Sequence, residues 1–239
     1  MKPLFKAILR SLGFELRSLR PYPRDDWVAV IRNLPWRHPF ACLVDVGANV
    51  GQTSLHLRAQ FPDAVIHAFE PCASTHAILV QRVRHDTAIH PHCLALGDRP
   101  GLAHLVHADD SQLHTLRLVA AHEGGEREPV DVETLDSFAA CHGLDQIDLL
   151  KTDAEGFDAE VIHGASRLLA NGAVAAVLAE FTLVPSDHSH TPLLALNALL
   201  YPAGFRLFDL YDLARWDNEV QFGNALYINP AHLHLSARP

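Results

Sequence analysis

Three charged residues stand within five positions at the end of an apolar run in the segment IDLLKTDAEGFDAEVIHGA, residues 147–165. The run predicts a central strand, with Lys151, Asp153 and Glu155 at its carboxyl end. Charges at the centre of a sheet are unfavourable unless they pair or serve a ligand. Because side chains alternate along a strand, Lys151 and Asp153 share one side and can form an ion pair. Pairing and catalysis are compatible, so we predict all three as catalytic residues, and Asp153 also as a cofactor contact.

A second group lies where an earlier strand turns into a helix, in LVDVGANVGQTS, residues 43–54. A tight turn needs a residue without Cβ, and a helix that starts there directs free backbone N–H groups at a ligand. Asp45 occupies the place of the first glycine in the dinucleotide fingerprint G-x-G-x-x-G, close to where a pyrophosphate would lie. Like charges repel, so a ligand with a cationic end is favoured. The predicted cofactor-binding residues of this turn are Asp45, Gly47, Ala48, Asn49 and Gly51.

Glu70 ends the next apolar run, in IHAFEP, 25 residues after Asp45. A carboxylate at this position can accept hydrogen bonds from both hydroxyls of a ribose. NAD and S-adenosylmethionine each contain a ribose. Asp45 and Glu70 together favour S-adenosylmethionine, which has an amino acid at one end and no phosphate. Pro71, together with Leu96 and Asp98 of the segment CLALGDRPG, completes the predicted cofactor site.

Residues of the acceptor side are expected beyond another strand. Glu180 lies near the end of the run VLAEF, and the segment PSDHSHTP that follows contains His188 and His190. We predict these three as substrate residues, with a polar surface loop as the alternative for the two histidines. Asp153, Glu155 and Glu180 could also offer oxygen ligands to Mg²⁺. Nothing in their spacing demands a metal, so no metal site is predicted.

The elements that must position these residues alternate along the chain. This alternation predicts an α/β fold, a mostly parallel sheet with helices on both faces. Residues 101–133 interrupt the alternation and predict short extra strands or a loop excursion. Strands are expected near residues 42–46, 64–69, 88–95, 146–152, 173–180, 204–209 and 222–228, and helices near 51–60, 73–84, 134–142, 158–170 and 191–201.

Composition bounds the class of protein. The chain has 239 residues, 49% of them apolar and 20% charged, which is typical of a globular domain. Four widely spaced cysteines without a C-x-x-C pair indicate reduced thiols and a cytoplasmic location. We predict an N-terminal helical or lid segment over residues 1–40, one catalytic domain over 41–230 and a tail over 231–239.

Charge is distributed unevenly. The net charge of −9 combines +5 over residues 1–40 with −14 over the remainder. The acidic body excludes a general nucleic-acid binder, because affinity for phosphates requires basic residues. The basic, amphipathic N-terminus predicts a short helix. It could pack on the body as a lid, form a dimer contact, or rest on anionic lipid at a membrane surface.

Five segments together resemble the FkbM-type S-adenosylmethionine-dependent methyltransferases: VDVGANVGQTS, AFEP, LALGDRPG, ETLDSF and IDLLKTDAEGFDAEVIHGA. The resemblance runs from about Leu43 to Asn229. It implies a class I methyltransferase, Rossmann-like fold whose seven-stranded sheet has an antiparallel last strand. It also implies O-methylation, often of sugars or other hydroxylated metabolites. The segment VQFGNALYINP resembles the family's final strand, with Asn224 in place of an acid.

Methyl transfer from a sulfonium is an in-line displacement, so positioning supplies much of the rate. A hydroxyl is a poor nucleophile at neutral pH, and a nearby base helps. Asp153 is the first candidate for the base or for the residue that orients the acceptor, and the positive charge of Lys151 could hold it ionised. The favoured substrate is a small molecule or glycan unit. The alternatives are N-methylation of a small amine, an NAD-dependent oxidoreductase, and a non-catalytic nucleoside-binding scaffold.

Overall fold

The computed structural model describes residues 26–107, 114–117, 127–187 and 189–234. The chain divides into two compact units, Met1–Leu34 and Pro35–Pro239. In the first unit, helix α1 spans Trp27–Asn33, and the side chain of Asp26 caps it by accepting a hydrogen bond from the Ala29 N–H. The predicted basic helix near the N-terminus lies outside the described residues. Within the described ranges, no helix is long and apolar enough to cross a membrane.

The second unit alternates strands and helices as the sequence predicts. Its strands are β1 (Cys42–Val46), β2 (Val65–Phe69), β3 (Ile89–His92), β4 (Ala95–Leu96), β5 (Gly101–His107), β6 (His114–Arg117), β7 (Arg127–Glu133), β8 (Ile147–Thr152), β9 (Val174–Thr182), β10 (Arg206–Trp216) and β11 (Glu219–Ile228). Its helices are α2 (Gln52–Gln60), α3 (Ala73–Val83), α4 (Leu135–His142), α5 (Asp158–His163), α6 (Ser166–Ala170) and α7 (Leu193–Leu200), with a 3-10 turn at Pro230–His232.

The main sheet has seven strands in the order β10-β11-β9-β8-β1-β2-β3. Strands β1, β2, β3, β8 and β9 pair in parallel, whereas β11 is antiparallel to both β9 and β10. The strand order reverses direction at β1, and right-handed crossovers then place the helices of the two halves on opposite faces. The predicted α/β fold with an antiparallel last strand is confirmed.

Three predicted elements differ in the structure. The strand expected at 88–95 is divided, because β3 stays in the main sheet while β4 joins a second one. The helix expected at 158–170 is two helices separated at Gly164. A Cβ on Gly164 would overlap the carbonyl oxygen of Gly97, so glycine at this position lets the two backbones approach closely. The strand expected at 204–209 continues to Trp216 because it pairs with β11 along its length through several register shifts.

The interruption at residues 101–133 contains strands. Strands β4, β7, β5 and β6 form a second sheet in that order, which confirms the predicted extra strands. Ala103, Leu105 and Val130 of this sheet pack with Ala95 and Cys72 in a small core of their own. Burial of these apolar side chains holds the second sheet against the start of α3.

One buried acid fixes the register of the central strands. Asp148, at the start of β8, accepts hydrogen bonds from the backbone N–H groups of Ala41 and Cys42 at 2.6 and 2.9 Å. The side chain of Gln146 donates to its other oxygen at 2.7 Å. Strands β8 and β1 are therefore locked side by side, which sets Asp45 opposite Lys151 in the ladder.

Candidate active site

A cavity with about 770 Å³ of free space, part of it open to solvent, lies at the carboxyl ends of β1, β2 and β8. Its place is the usual one for ligands of open α/β sheets. The predicted residues that line it are Gly47, Asn49, Glu70, Pro71, Leu96, Asp153 and Glu155. The sequence analysis did not single out the other lining residues, Val46, Phe69, Thr75, Leu94, Ala95, Leu105 and Ala154.

The glycine turn closes one side of this cavity. Gly47 has φ +71°, and a Cβ there would overlap the carbonyl oxygen of Asp153, so only glycine allows the end of β8 to approach. The N–H groups of Gly47 and Ala48 both donate to the carbonyl of Phe69, at 3.0 and 2.9 Å. Ala48 is buried, and Gly51 packs against Leu79; neither lines the cavity. The cofactor contacts predicted for Ala48 and Gly51 stay predictions.

Glu70 is held rigidly at the end of β2. One carboxylate oxygen accepts the Asn49 N–H at 3.0 Å, and the other accepts the Cys72 N–H at 2.9 Å. Burial raises the pKa of Glu70, although these hydrogen bonds and Lys151 favour its charged form. A carboxylate oxygen has two lone pairs, so each can still accept a ligand hydroxyl. The geometry fits the predicted ribose contact.

Asp45 does not line the cavity, and its predicted contact with a cationic ligand stays a prediction. The side chain is fully buried, and one carboxylate oxygen accepts a hydrogen bond from the Ser54 hydroxyl at 2.6 Å. The other oxygen lies 3.3 Å from the Lys151 ammonium on the neighbouring strand. The positive charge that this acid meets therefore belongs to the protein itself.

Lys151 lies beneath the cavity rather than in its lining. Its ammonium is 3.3 Å from the Asp45 carboxylate and 3.2 Å from that of Asp153. Burial alone would lower the pKa of Lys151, but the two carboxylates outweigh it and raise the pKa above its ordinary value. The ion pair expected between Lys151 and Asp153 is present. Lys151 is not among the residues that line the cavity, and its predicted catalytic role stays a prediction.

The loop after β8 carries Asp153 and Glu155 into the site. Asp153 remains partly exposed and lines the cavity, whereas Glu155 lies in the left-handed region with φ +50°. Burial, and then the charge of Asp153, raises the pKa of Glu155. Glu155 also lines a neighbouring depression. The two acids predicted as catalytic are therefore adjacent, and Glu155 stands where the cofactor cavity and the depression meet.

Asp158 is an organising residue that the sequence analysis missed. Its buried carboxylate accepts a hydrogen bond from the Thr152 hydroxyl at 2.7 Å and from the Ala154 N–H at 3.3 Å. Burial raises the pKa of Asp158 to about 6 despite these hydrogen bonds. The signal was present, because Asp158 belongs to the same acidic segment, five residues after Asp153.

The neighbouring depression brings Glu180 and His190 together. The Nε2 atom of His190 lies 3.6 Å from a Glu180 carboxylate oxygen, and its Nδ1 lies 2.7 Å from Asp187. The imidazole stacks on Phe222, with ring centroids 4.3 Å apart. Burial raises the pKa of Glu180 well above its usual range, and the nearby carboxylates led by Asp153 add to the effect. Asp187 was missed, although its spacing of three residues from His190 allows the contact.

Two further predicted residues stand apart from this arrangement. Asp98 is exposed and borders a separate depression formed by residues 96–103, and its predicted cofactor contact stays a prediction. Strand β4, which precedes it, belongs to the second sheet. His188 lies outside the described residues. In the part of the chain that the structure describes, no three acidic, histidine or cysteine side chains converge to hold a metal ion.

The sheet order, the antiparallel last strand and the ligand cavity at the switch in strand order define a class I methyltransferase fold. Residues 45–207, more than half of the chain, match the family model described as the methyltransferase FkbM domain. The chain therefore belongs to the FkbM methyltransferase family. This membership confirms the cofactor predicted from the sequence, S-adenosylmethionine.

Two curated relatives and one solved structure illustrate the similarity. Methyltransferase sdnD of Sordaria araneosa is 30% identical over 165 residues, covering 56% of this chain and 62% of the relative. The 31-O-demethyl-FK506 methyltransferase FkbM of Streptomyces tacrolimicus is 28% identical over 155 residues, covering 53% of this chain and 60% of the relative. The match thus spans about three fifths of each relative. Magnesium protoporphyrin IX methyltransferase from Synechocystis PCC 6803 has 13% identity and a TM-score of 0.47, over 95% of this chain and 92% of its own.

Proposed function

We propose that this protein transfers the methyl group of S-adenosylmethionine to a hydroxyl oxygen of a small molecule or glycan unit. The observation that carries the proposal is the position of Glu155, which lines two cavities. One is the cavity that contains the anchored Glu70, and the other is a second depression large enough for an acceptor. A donor and an acceptor bound on either side of one residue would be close enough to react, which is the requirement of an in-line transfer.

The cofactor cavity suits a sulfonium nucleoside better than a dinucleotide. Glu70, Asp153 and Glu155 line it, and among the described residues no lysine or arginine does. A pyrophosphate would meet these carboxylates without a compensating cation, which argues against the NAD-dependent alternative. Glu70 would accept the ribose hydroxyls, and the apolar side chains of Leu94, Leu96 and Leu105 would pack against the adenine. The bound cofactor supplies an electrophilic methyl group.

The residues of this chain would orient the acceptor. Asp153 is anchored by Lys151, and Glu155 is held by its loop, so each offers a carboxylate oxygen to an acceptor hydroxyl at the junction. Oxygen is favoured over nitrogen by the name of the relative from Streptomyces tacrolimicus, which describes a substrate lacking an O-methyl group. Amine methylation is the second candidate, because a carboxylate also binds an ammonium group.

The first test measures transfer directly. Purified protein is incubated with S-adenosylmethionine bearing a trideuterated methyl group and a panel of sugars, polyols and hydroxylated metabolites, and the products are detected by mass spectrometry. We expect a labelled O-methyl product whose rate of formation falls about a hundred-fold in Asp153→Ala, because the acceptor loses its orientation. Cofactor binding, measured by calorimetry, should be retained.

The matched control is Asp63→Ala, which removes the same side chain at an exposed turn away from both cavities. Its transfer rate should equal that of the unaltered chain. Binding of NAD with no binding of S-adenosylmethionine or S-adenosylhomocysteine would overturn the proposal. A labelled product found only on amines would replace O-methylation by the second candidate.

A further inference from the structure

His190 is held in one orientation by contacts on three sides. Its Nδ1 lies 2.7 Å from Asp187, and its ring is nearly parallel to Phe222, at an angle of 14°. Its Nε2 faces Glu180 at 3.6 Å, a separation longer than a hydrogen bond. The imidazole is largely buried, with 15% of its side chain exposed. A ring fixed in this way presents a single nitrogen to the acceptor depression.

The contact with Asp187 determines which nitrogen carries the proton of the neutral ring. Burial would raise the pKa of Asp187, but hydrogen bonds from the Ser189 N–H and from His190 outweigh it and lower the pKa. An ionised carboxylate only accepts hydrogen bonds, so Nδ1 is the protonated nitrogen and Nε2 keeps its lone pair. The ring is therefore prepared to accept a proton at Nε2.

The other groups around the junction are less suited to accept a proton. Burial, and then the nearby carboxylates led by Asp153, raises the pKa of Glu180 and favours its protonated form. Asp153 is committed to its ion pair with Lys151 at 3.2 Å. The acidic groups that face His190 are Asp187 on its own loop, Glu180 from β9 and Glu155 from the loop after β8. Among the described residues, no lysine or arginine lines this depression.

We propose that His190 is the general base of the reaction and that Asp187 positions it. This inference rests on the proposed function and names the group that receives the acceptor's proton. An oxygen lone pair of the acceptor forms the new O–CH₃ bond while the methyl–sulfur bond breaks, and that electron pair stays on sulfur. The O–H electron pair stays on oxygen, and the proton passes to Nε2. The resulting imidazolium is stabilised by Asp187 and then releases its proton to solvent.

One test needs no acceptor. The full chain, labelled with ¹⁵N in its histidines and bound to S-adenosylhomocysteine, is studied by long-range ¹H–¹⁵N NMR at pH 8, and the His190 signals are assigned by their loss in His190→Gln. We expect the tautomer with the proton on Nδ1, and we expect Asp187→Ala to abolish this preference. A proton on Nε2 in the unaltered chain would overturn the proposal, because that nitrogen could not act as a base.

A second test uses the acceptor found by mass spectrometry. His190→Gln should lower kcat about a hundred-fold or more and remove the acid limb of the rate–pH profile, with cofactor affinity unchanged. His85→Gln, at an exposed site, is the matched control. Equal rates for His190→Gln and the unaltered chain would refute His190 as the base while leaving the methyltransferase proposal intact. Absence of both cofactor binding and transfer in the unaltered chain would instead refute the proposed function, and this inference with it.

Discussion

Glu155 combines an unfavourable backbone with a place at the centre of the site. Its φ of +50° lies in the left-handed region, and Gly156 follows with φ +90°. L-residues with a Cβ rarely adopt this conformation, and such outliers concentrate at functional sites. The conformation turns the Glu155 carboxylate toward both cavities. At Glu155 the backbone conformation therefore costs some stability and places one carboxylate at the site.

A pair of substitutions separates the backbone from the carboxylate. Glu155→Gly and Glu155→Ala both remove the acid, but only glycine adopts a positive φ without steric penalty. We expect Glu155→Gly to be more stable than Glu155→Ala by about 1 kcal/mol in urea unfolding. Both should lose methyl transfer to the same extent. Equal stability of the two variants would show that the backbone at Glu155 is not strained.

Strands β2 and β3 and helix α4 share a cluster of histidines. His67 and His92 on adjacent strands have ring nitrogens 3.1 Å apart, and Phe138 of α4 contacts both rings. Burial lowers the pKa of each to about 4, and neighbouring histidines, among them His90 and His142, add to the effect. His67 and His92 are therefore neutral when the protein is folded at physiological pH. The histidine cluster packs at the edge of the sheet whose strands end at the cofactor cavity.

This cluster predicts a loss of stability in acid. Between the unfolded pKa of 6.5 and the folded pKa of about 4, the unfolded chain binds more protons, so stability falls as the pH falls through this window. After allowance for solvent screening, we expect the two histidines to contribute a loss of about 2 kcal/mol. Urea unfolding at a series of pH values measures it.

The matched variants are His67→Gln, inside the cluster, and His85→Gln, at an exposed site. The first should make the slope of unfolding free energy against pH less positive than in the unaltered chain, because one of the two histidines with a lowered pKa is removed. The second should leave the slope unchanged. A slope in His67→Gln equal to that of the unaltered chain would show that the acid sensitivity arises elsewhere.

One buried cation, Lys151, contacts both the core of the molecule and the active-site loop. Lys151 connects Asp45 of β1, at 3.3 Å, with Asp153 of the active-site loop, at 3.2 Å. Removing one member of a buried charged group leaves the others without compensation. The same interaction that holds the central strands together therefore also holds Asp153 in place.

Lys151→Met should be strongly destabilising, by about 3–5 kcal/mol in urea unfolding, because the buried carboxyl group of Asp45 then loses its partner. The double variant Lys151→Met/Asp45→Asn removes the uncompensated charge and should recover part of this loss. Methyl transfer should be lost in both variants, since Asp153 has no lysine partner in either. A double variant no more stable than the single one would show that the charge of Asp45 is not the source of the destabilisation.

Local patterns predicted most of the fold, because alternating apolar runs specify strands and helices through contacts between near neighbours in the chain. They failed where distant segments meet. The strand expected at 88–95 divides because β4 pairs with β7 in the second sheet. The helix expected at 158–170 breaks where Gly164 contacts Gly97. The insertion over residues 101–133 contributes Leu105 to the cavity, a contact that no local spacing reveals.

Residue types at short spacings along the chain predict the family, the cofactor and the group of acids at the strand ends. The tertiary fold sets the surroundings of each acid. It turned Asp45 into the core, placed Glu155 between two cavities and brought Asp187 against His190. The reason is physical: the role of a charge depends on which partners and how much solvent surround it, and these come from other elements of the fold.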